Sequence, residues 1–520
     1  MKQTVFRLAA LRLAAAALLA ALAACGTVGP DYRVPEQATV RDPGAAAPFG
    51  GAAEAAFSAA PLPPRWWRLY QDPALDALVQ QALAANTDLR VAAANLARAR
   101  AVEEETAAAG RPAIGVNAAP GYGRPSAAAR GLAQPLENAG SYDAGATVSY
   151  QIDLFGKIAR AIEAAGADTE AALAAMDLAR VNVAAGTVRA YADACSSAAQ
   201  LRVAQRSLNL QREFAELTGR RIRAGRGSAL DASRAEAQVE QLRAVLPPLL
   251  AQQRGAQLRL AALVGQTPAA MPAIACTDTP RLANPVPVGD GAALLRRRPD
   301  IRQAERGLAG ATARIGVATA DLYPSISLGL SAGGTGALAS VGASNTWRWS
   351  LGPLISWTLP VTGAAQARIA EARAANDAAL ARFDGTVLNA LRETETALTV
   401  YARELDRNAA LKASRDQSAL AAQQAAKLYR FGRTDFLTTL DTDRTLASAE
   451  SAVAASDALL ATDQVNLFLA LGGGWESSAE KQEHGEKHAE GNGEKHAAGH
   501  DEKHGEKHAD GNGEGHKQAH

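Results

Sequence analysis

All eight histidines of the 520-residue chain lie at its C-terminal end, at positions 484, 488, 496, 500, 504, 508, 516 and 520, spaced by four or eight residues. Imidazoles at i and i+4 share a helix face and can chelate one Zn²⁺, Cu²⁺, Ni²⁺ or Co²⁺. His484, His488, His496, His500, His504, His508, His516 and His520 are therefore candidate metal ligands. The intervening glycines oppose a stable metal-free helix, so ordering is expected to be coupled to metal binding. From Glu476 onward the segment is Gly, Glu, Lys and His repeated without aromatics, the composition of a disordered low-complexity tail. The same distribution removes catalytic readings. "GLSAG" (Gly329–Gly333) fits the G-x-S-x-G nucleophile pattern, but no histidine precedes residue 484 to serve as base. "GGTG" (Gly333–Gly336) lacks the lysine and following helix of a phosphate loop. The chain is expected not to be an enzyme and to need no cofactor.

A second chemical feature is Cys25. Met1–Cys25 carries Lys2, Arg7 and Arg12, then "LAAAALLAALAA", which falls short of the roughly 20 residues that span a bilayer. Residues 1–24 read as a signal peptide. Leu22-Ala23-Ala24-Cys25 resembles a bacterial lipobox, which implies a covalent lipid on Cys25 as the first mature residue. Gly26, where an aspartate would retain the inner-membrane address, favours the outer membrane. Cys195 and Cys276 are the other cysteines; an exported protein permits a bond between them without requiring one. No later segment has 18 consecutive apolar residues, so no transmembrane helix is expected. The 54 basic and 53 acidic residues nearly cancel, which gives no footprint for nucleic acid.

An internal repeat organises what lies between. "TDLRVAAANLARARAVEEETAAAGRPAIGV" (Thr87–Val116) aligns with "PDIRQAERGLAGATARIGVATADLYPSISL" (Pro299–Leu328) at an offset of 212. "IRAGRGSAL" (Ile222–Leu230) matches "YRFGRTDFL" (Tyr429–Leu437), and Gly156 matches Gly363, at an offset of 207. The expected divisions are the signal peptide 1–24, a lipidated extended segment 25–65, repeat one 66–265, a linker or equatorial segment 266–295, repeat two 296–474 and the tail 475–520. Each repeat reads as a helix of two to three dozen residues ending at Pro112 or Pro324, two alternating strands, then a long helical region broken once at a glycine turn. The strands are expected near Ile114–Gly123, Tyr142–Leu154, Ser325–Ala332 and Trp347–Leu359, with a bulge or bend at Pro353 on the polar face. The long helices are expected at Lys157–Arg221, Ser228–Val264 with a break at Pro247-Pro248, Ala364–Tyr429 and Asp435–Leu471, the longest reaching roughly 100 Å.

Four strands of about ten residues match the length that crosses a membrane when tilted. Four cannot close a barrel, and an open edge in lipid leaves backbone groups unpaired, so chains must pool strands; a trimer supplies twelve. Tyr142, Val148, Tyr150, Ile152 and Leu154 then face lipid, while Asp143, Thr147, Ser149, Gln151 and Asp153 face water.

"GTVGPDYRVP" after the lipobox, "WWRLYQDPALDALVQQALAANTDLRVAAANLARARA", "RRRPDIRQAE" with "LYPSISL", and the two "R-x-G" turns resemble TolC-like outer-membrane factors of tripartite efflux pumps, in the lipoprotein (NodT-type) branch. The resemblance covers about Cys25 to Gly474. It implies a mainly α protein with membrane β: a homotrimer whose twelve-stranded outer-membrane barrel continues into a twelve-helix periplasmic barrel. The implied partners are a periplasmic membrane fusion (adaptor) protein and an inner-membrane RND-type pump. It also implies closure where the helix pairs turn, at Arg223–Asp231 and Tyr429–Asp441. Tyr429, Gly432 and Asp441 stand at the family's gating tyrosine, turn glycine and constriction aspartate. Thr438 replaces a second aspartate and Arg433 is a displaced basic residue. Arg223, Asp231, Asp435 and Asp443 are further candidates. The expected function is a passive exit duct, with heavy-metal cations as a candidate cargo; the alternative is a periplasmic metal-sequestering coiled-coil lipoprotein.

Overall fold

The computed structural model describes residues 26–474 apart from 129, 130, 132, 271–273, 275 and 277. The signal segment, Cys25 and the tail 475–520 with its eight histidines lie outside the described residues. In chain order the elements are β1 (Phe57–Ser58), α1 (Pro73–Ala85), α2 (Thr87–Ala108), β2 (Ala113–Gly123), β3 (Ala139–Ile152), α3 (Lys157–Arg223), α4 (Ala229–Ala244), α5 (Leu246–Leu263), β4 (Val286–Pro287), α6 (Gly291–Arg297), α7 (Pro299–Ala320), β5 (Ser325–Ala337), β6 (Trp347–Ser356), α8 (Ala364–Arg430) and α9 (Phe436–Ala470). The long helices α3 and α8 each have 67 residues, about 100 Å at 1.5 Å per residue.

The single helix expected before Pro112 is two. Asn86 ends α1 and caps α2, its Oδ1 accepting from the Asp88 and Leu89 amides at 2.8 and 3.3 Å, so the chain restarts rather than continues. Its Nδ2 donates to the Leu263 carbonyl at 3.1 Å. The break between α4 and α5 falls at Val245, with Pro247 in the first turn of α5, where its missing N–H costs nothing.

The main core forms where the two repeats meet. Trp66 is fully buried and stacks on Phe468 at 4.4 Å, and Val183, Ala184, Val188 and Tyr191 of α3 pack into the same cluster. The most apolar window of α3 reaches a mean hydropathy of 1.2; its alanine-rich middle is an interior surface. A chain of buried hydroxyl and amide groups is hydrogen-bonded there, as low dielectric favours. Tyr70 donates to Gln464 Oε1 at 3.2 Å, and Gln464 Nε2 donates to the Tyr401 hydroxyl at 2.8 Å. Cys195 and Cys276 form a disulfide across a sequence separation of 81, tying the linker to α3; loop closure of that length contributes on the order of 4 kcal/mol. β1 pairs in parallel with β4, joining the N-terminal segment to the same linker. Nearer the sheet, the Val28 amide donates to the Phe155 carbonyl at 3.1 Å. Gly29 crosses Gly316 so closely that a Cβ on Gly29 would lie 2.4 Å from the Gly316 Cα. Buried Arg160 donates to Asp31 at 2.6 Å and to the Val28 carbonyl at 3.2 Å.

β2, β3, β5 and β6 form an antiparallel sheet in that order. Register aligns Ile114, Val148, Leu330 and Leu351 in one row, and with Val116, Trp347 and Trp349 they make an apolar face. Val148 is half-buried and the others are exposed, Val116 by 83% and Trp349 by 75%, so this face meets no protein core. The opposite face is polar: Asp143 binds Arg348 and Asn117, and Ser331 pairs with Ser350 at 2.8 Å. Ser331 of "GLSAG" is thus a sheet residue. The bulge expected at Pro353 does not occur. Pairing runs unbroken from Ser325↔Ser356 to Gly334↔Trp347, and Pro353 sits opposite Leu328 on the apolar face. Pro120 and Pro353 both lie on edge strands, where a residue without N–H is tolerated. β3 also ends earlier than expected, because the Asp153 carboxylate turns to accept from the Ile158 and Ala159 amides at the start of α3; Asp153 and Leu154 leave the alternating pattern. Likewise Trp357 leaves β6 and its Nε1 donates to the Leu322 carbonyl at 3.1 Å.

A lysine on the apolar face costs about 2–4 kcal/mol at a bilayer midplane. Val148→Lys is therefore expected to abolish heat-modifiable assemblies in outer-membrane fractions, whereas Ser149→Lys, on the polar face, keeps them. Equal yields would refute the facial assignment.

Candidate functional site at the helix turns

The turns α3–α4 and α8–α9 are built the same way. Each long helix closes with a left-handed glycine, Gly225 at φ +69° and Gly432 at φ +69°. In each, the glycine amide bonds three residues back (Gly225 to Ile222, Gly432 to Tyr429) and the next amide bonds five back (Arg226 to Arg221, Arg433 to Leu428). This is the Schellman geometry, which requires a residue without a Cβ penalty. The following helix then starts on a capped residue. Ser228 and Asp231 form a reciprocal capping box at 3.2 Å, and Asp435 accepts from the Thr438 amide at 2.7 Å. That bond holds the Asp435 carboxyl below its usual range.

Tyr429 is buried, and it joins the two turns. The Arg221 guanidinium lies 4.2 Å over its ring and Arg221 Nη1 donates to the Tyr429 carbonyl at 3.4 Å. Phe214 approaches the Tyr429 ring at 5.7 Å and stacks on Phe436 at 5.3 Å. Ala235 and Leu440 complete this small core. A further link between the helix pairs is Arg444 Nε, which donates to Gln238 Oε1 at 2.6 Å. Of the residues singled out from sequence, Arg223, Arg433 and Asp441 are exposed, while Asp231 and Asp435 are engaged in caps. Phe214, Arg221, Gln238 and Arg444 were not singled out. Phe214 and Arg221 are seven residues apart, so they share one helix face; that spacing was the available signal.

Asp443 is different from its neighbours. Burial pushes its carboxyl up from 3.8 to about 6, because the anion is desolvated. It lines a cavity of about 470 Å³ between α3, α4, α8 and α9. Among the described residues no group of three or more His, Cys, Asp or Glu could hold a metal ion.

A four-stranded sheet with an apolar exposed face, joined through glycine exits to long helices that turn back in two packed pairs, is the architecture of an outer-membrane channel subunit. The family described as outer membrane efflux protein matches residues 78–266 and 292–473, and the chain belongs to it. A toluene efflux pump outer membrane protein of Pseudomonas putida, TtgC, is 31% identical over 468 residues, covering 87% of this chain and 93% of that protein. Nodulation protein T of Rhizobium leguminosarum bv. trifolii is 29% identical, covering 79% and 88%. The solved outer-membrane channel OprN superposes with a TM-score of 0.81 at 38% identity, covering 86% of this chain and all of that one. The protein is an outer-membrane efflux channel component of the TolC-like class, and its work is transport, not catalysis.

Because the folded-state pKa of Asp443 lies above its unfolded value, its contribution to stability is complete below about pH 4 and is lost as pH rises through about 6. Thermal unfolding is expected to show a larger drop in midpoint between pH 4 and 7.5 for the parent than for Asp443→Asn. An equal drop would contradict the assignment of a partly desolvated carboxylate at Asp443.

Proposed function

We propose that three copies of the chain form a twelve-stranded outer-membrane barrel continuous with a twelve-helix periplasmic tunnel. This duct conducts substrate passively outward, with energy supplied by an inner-membrane RND-type pump through a periplasmic adaptor. The observation that supports this best is the sheet: one apolar exposed face, one polar face, and two edge strands, β2 and β6, paired on one side only. In hydrocarbon such edges must be paired, and only closure with further copies does so. Four helical segments per chain, α3, α4–α5, α8 and α9, give twelve in a trimer.

Cys25 carries the lipid in this reading. It stands three residues before Val28, whose amide is bonded to Phe155 just beyond β3. That contact holds the start of the mature chain where sheet gives way to helix, at the level of the periplasmic surface of the outer membrane. Asp441, exposed near the turn, would form a three-fold ring attractive to cations, with Arg223 and Arg433 as nearby basic groups. Tyr429 and Arg221 would latch the helix pairs, around the turn glycine Gly432 and the capping residues Asp231 and Asp435.

Transition-metal cations are the proposed cargo. The support is the tail sequence, where "HGEKHAEGNGEKHAAGH" (His484–His500) recurs as "HGEKHADGNGEGHKQAH" (His504–His520) at an offset of 20. Each copy carries four histidines as two i, i+4 pairs, a donor set suited to one Ni²⁺, Co²⁺, Zn²⁺ or Cu²⁺.

Full-length protein in planar bilayers is expected to give stepwise cation-selective conductance, with selectivity reduced in Asp441→Asn. A non-conducting monomer would return the reading to a metal-sequestering lipoprotein. Deleting 476–520 is expected to lower cellular tolerance to at least one of nickel, cobalt, zinc and copper while leaving antibiotic tolerance unchanged. No metal-specific change would remove the metal cargo from the proposal.

A further inference from the structure

The cavity beside Asp443 has chemistry that conduction does not use. Leu210, Phe214 and Leu217 of α3, Leu242 of α4 and Leu446 of α9 wall it with apolar surface. Two polar groups in it lack partners among the described residues. Gln211 is 4% exposed and its Nε2, buried in the wall, has no hydrogen-bond acceptor. No hydrogen bond or ion pair from the described residues reaches the Asp443 carboxylate, and burial is the cause of its raised pKa. An orphaned buried donor and a half-buried carboxylate with no compensating partner are each costly, and here they line one space.

The charged and titratable groups around that space do not neutralise Asp443. Glu213 and Arg220 project from α3, Tyr429 and Arg430 from α8, and Glu450 from α9. Glu450 is held by the Ser207 hydroxyl at 3.2 Å, and Arg444, the next residue to Asp443, is turned to Gln238. A volume of about 470 Å³ lies within the range of small-molecule sites, roughly 300–1,000 Å³. A bare metal ion does not suit it, because the walls are apolar and no three-ligand acidic or histidine group exists among the described residues.

The geometry points to a ligand site between the two helix pairs for a hydrophobic ammonium ion. Its N–H donates to Asp443, its apolar body fills the space between Phe214, Leu217 and Leu446, and an acceptor atom receives the Gln211 amide once that side chain turns from the wall into the cavity. Because the walls come from α3, α4, α8 and α9 together, an occupant bridges both pairs and holds the turns closed. The site is a regulatory one, and it stands independently of trimer formation or cargo because its walls come from one chain.

The test is binding of 1-naphthylmethylamine to the full-length protein in phospholipid nanodiscs, followed by its fluorescence. Saturable binding at one molecule per chain is expected at pH 7.5, weakened at least tenfold at pH 4.5, where Asp443 is neutral, and at least tenfold in Asp443→Asn. The uncharged 1-naphthylmethanol is expected to bind at least tenfold more weakly, and Glu216→Gln, on the exposed side of α3, to leave affinity unchanged. Gln211→Leu removes the orphaned donor without threatening the fold and is expected to weaken binding at least threefold for an analogue bearing a ring methoxy acceptor. Equal affinity of the amine and the alcohol, or an unchanged affinity in both Asp443→Asn and Gln211→Leu, would overturn the site. Neither readout depends on conductance, so a failure here is separable from a failure of the duct.

Discussion

The backbone N–H and C=O groups along the outer edges of β2 and β6 are the constraint on which the architecture depends. Inside the sheet, β3 and β5 are paired on both sides, and their residues alternate between an apolar and a polar face in strict register. The edges have no such partner within one chain. Each unmatched group costs several kcal/mol in hydrocarbon, and a strand of 10 or 11 residues offers a row of them. In the proposed duct those edges are satisfied by pairing β2 in one copy with β6 in the next. The exposed tryptophans of β6, Trp347 and Trp349, then lie at the lipid boundary, where an amphipathic ring is stable.

Away from the membrane the same chain solves a different problem. Helices of 67 residues cannot be held straight by one compact core, and the clusters are instead placed at separate levels: the tryptophan core where the repeats meet and the Phe214–Tyr429–Phe436 core at the turns. The turns are joined by aromatic packing and a guanidinium over a ring more than by ion pairs. Asp231 and Asp435 are occupied as caps within their own turns and do not link the two helix pairs. Separating the helix pairs must instead withdraw Arg221 from Tyr429 and Arg444 from Gln238.

The sequence made the repeat, the strand positions and the lengths of α3 and α8 legible, because alternation of period two and glycine-marked turns are local signals. The equivalence of Gly225 with Gly432, and of Ser228 with Asp435, followed from the 207-residue offset and became two identical Schellman turns with capped successors. What could not be read was set by contacts between distant segments. Asn86, which caps α2, is fixed at the helix break by its bond to Leu263, 177 residues away. Asp153 leaves its strand because it caps α3. The Cys195–Cys276 bond depended on where the linker runs. Arg221 is one of several basic residues before a turn, and the position of Tyr429 on another helix distinguishes it from Arg223.

The central claim is closure between copies, and disulfide trapping across the β2 and β6 edges tests it most directly. With Cys195 and Cys276 left intact, Val116→Cys on β2 is combined in turn with Cys at positions 348 to 352 on β6. Pairing predicts bonds only at alternate β6 positions, those sharing the face of Val116, and a product with the mass of three chains. Cross-links at every position, at none, or stopping at two chains would contradict a sheet closed by three copies.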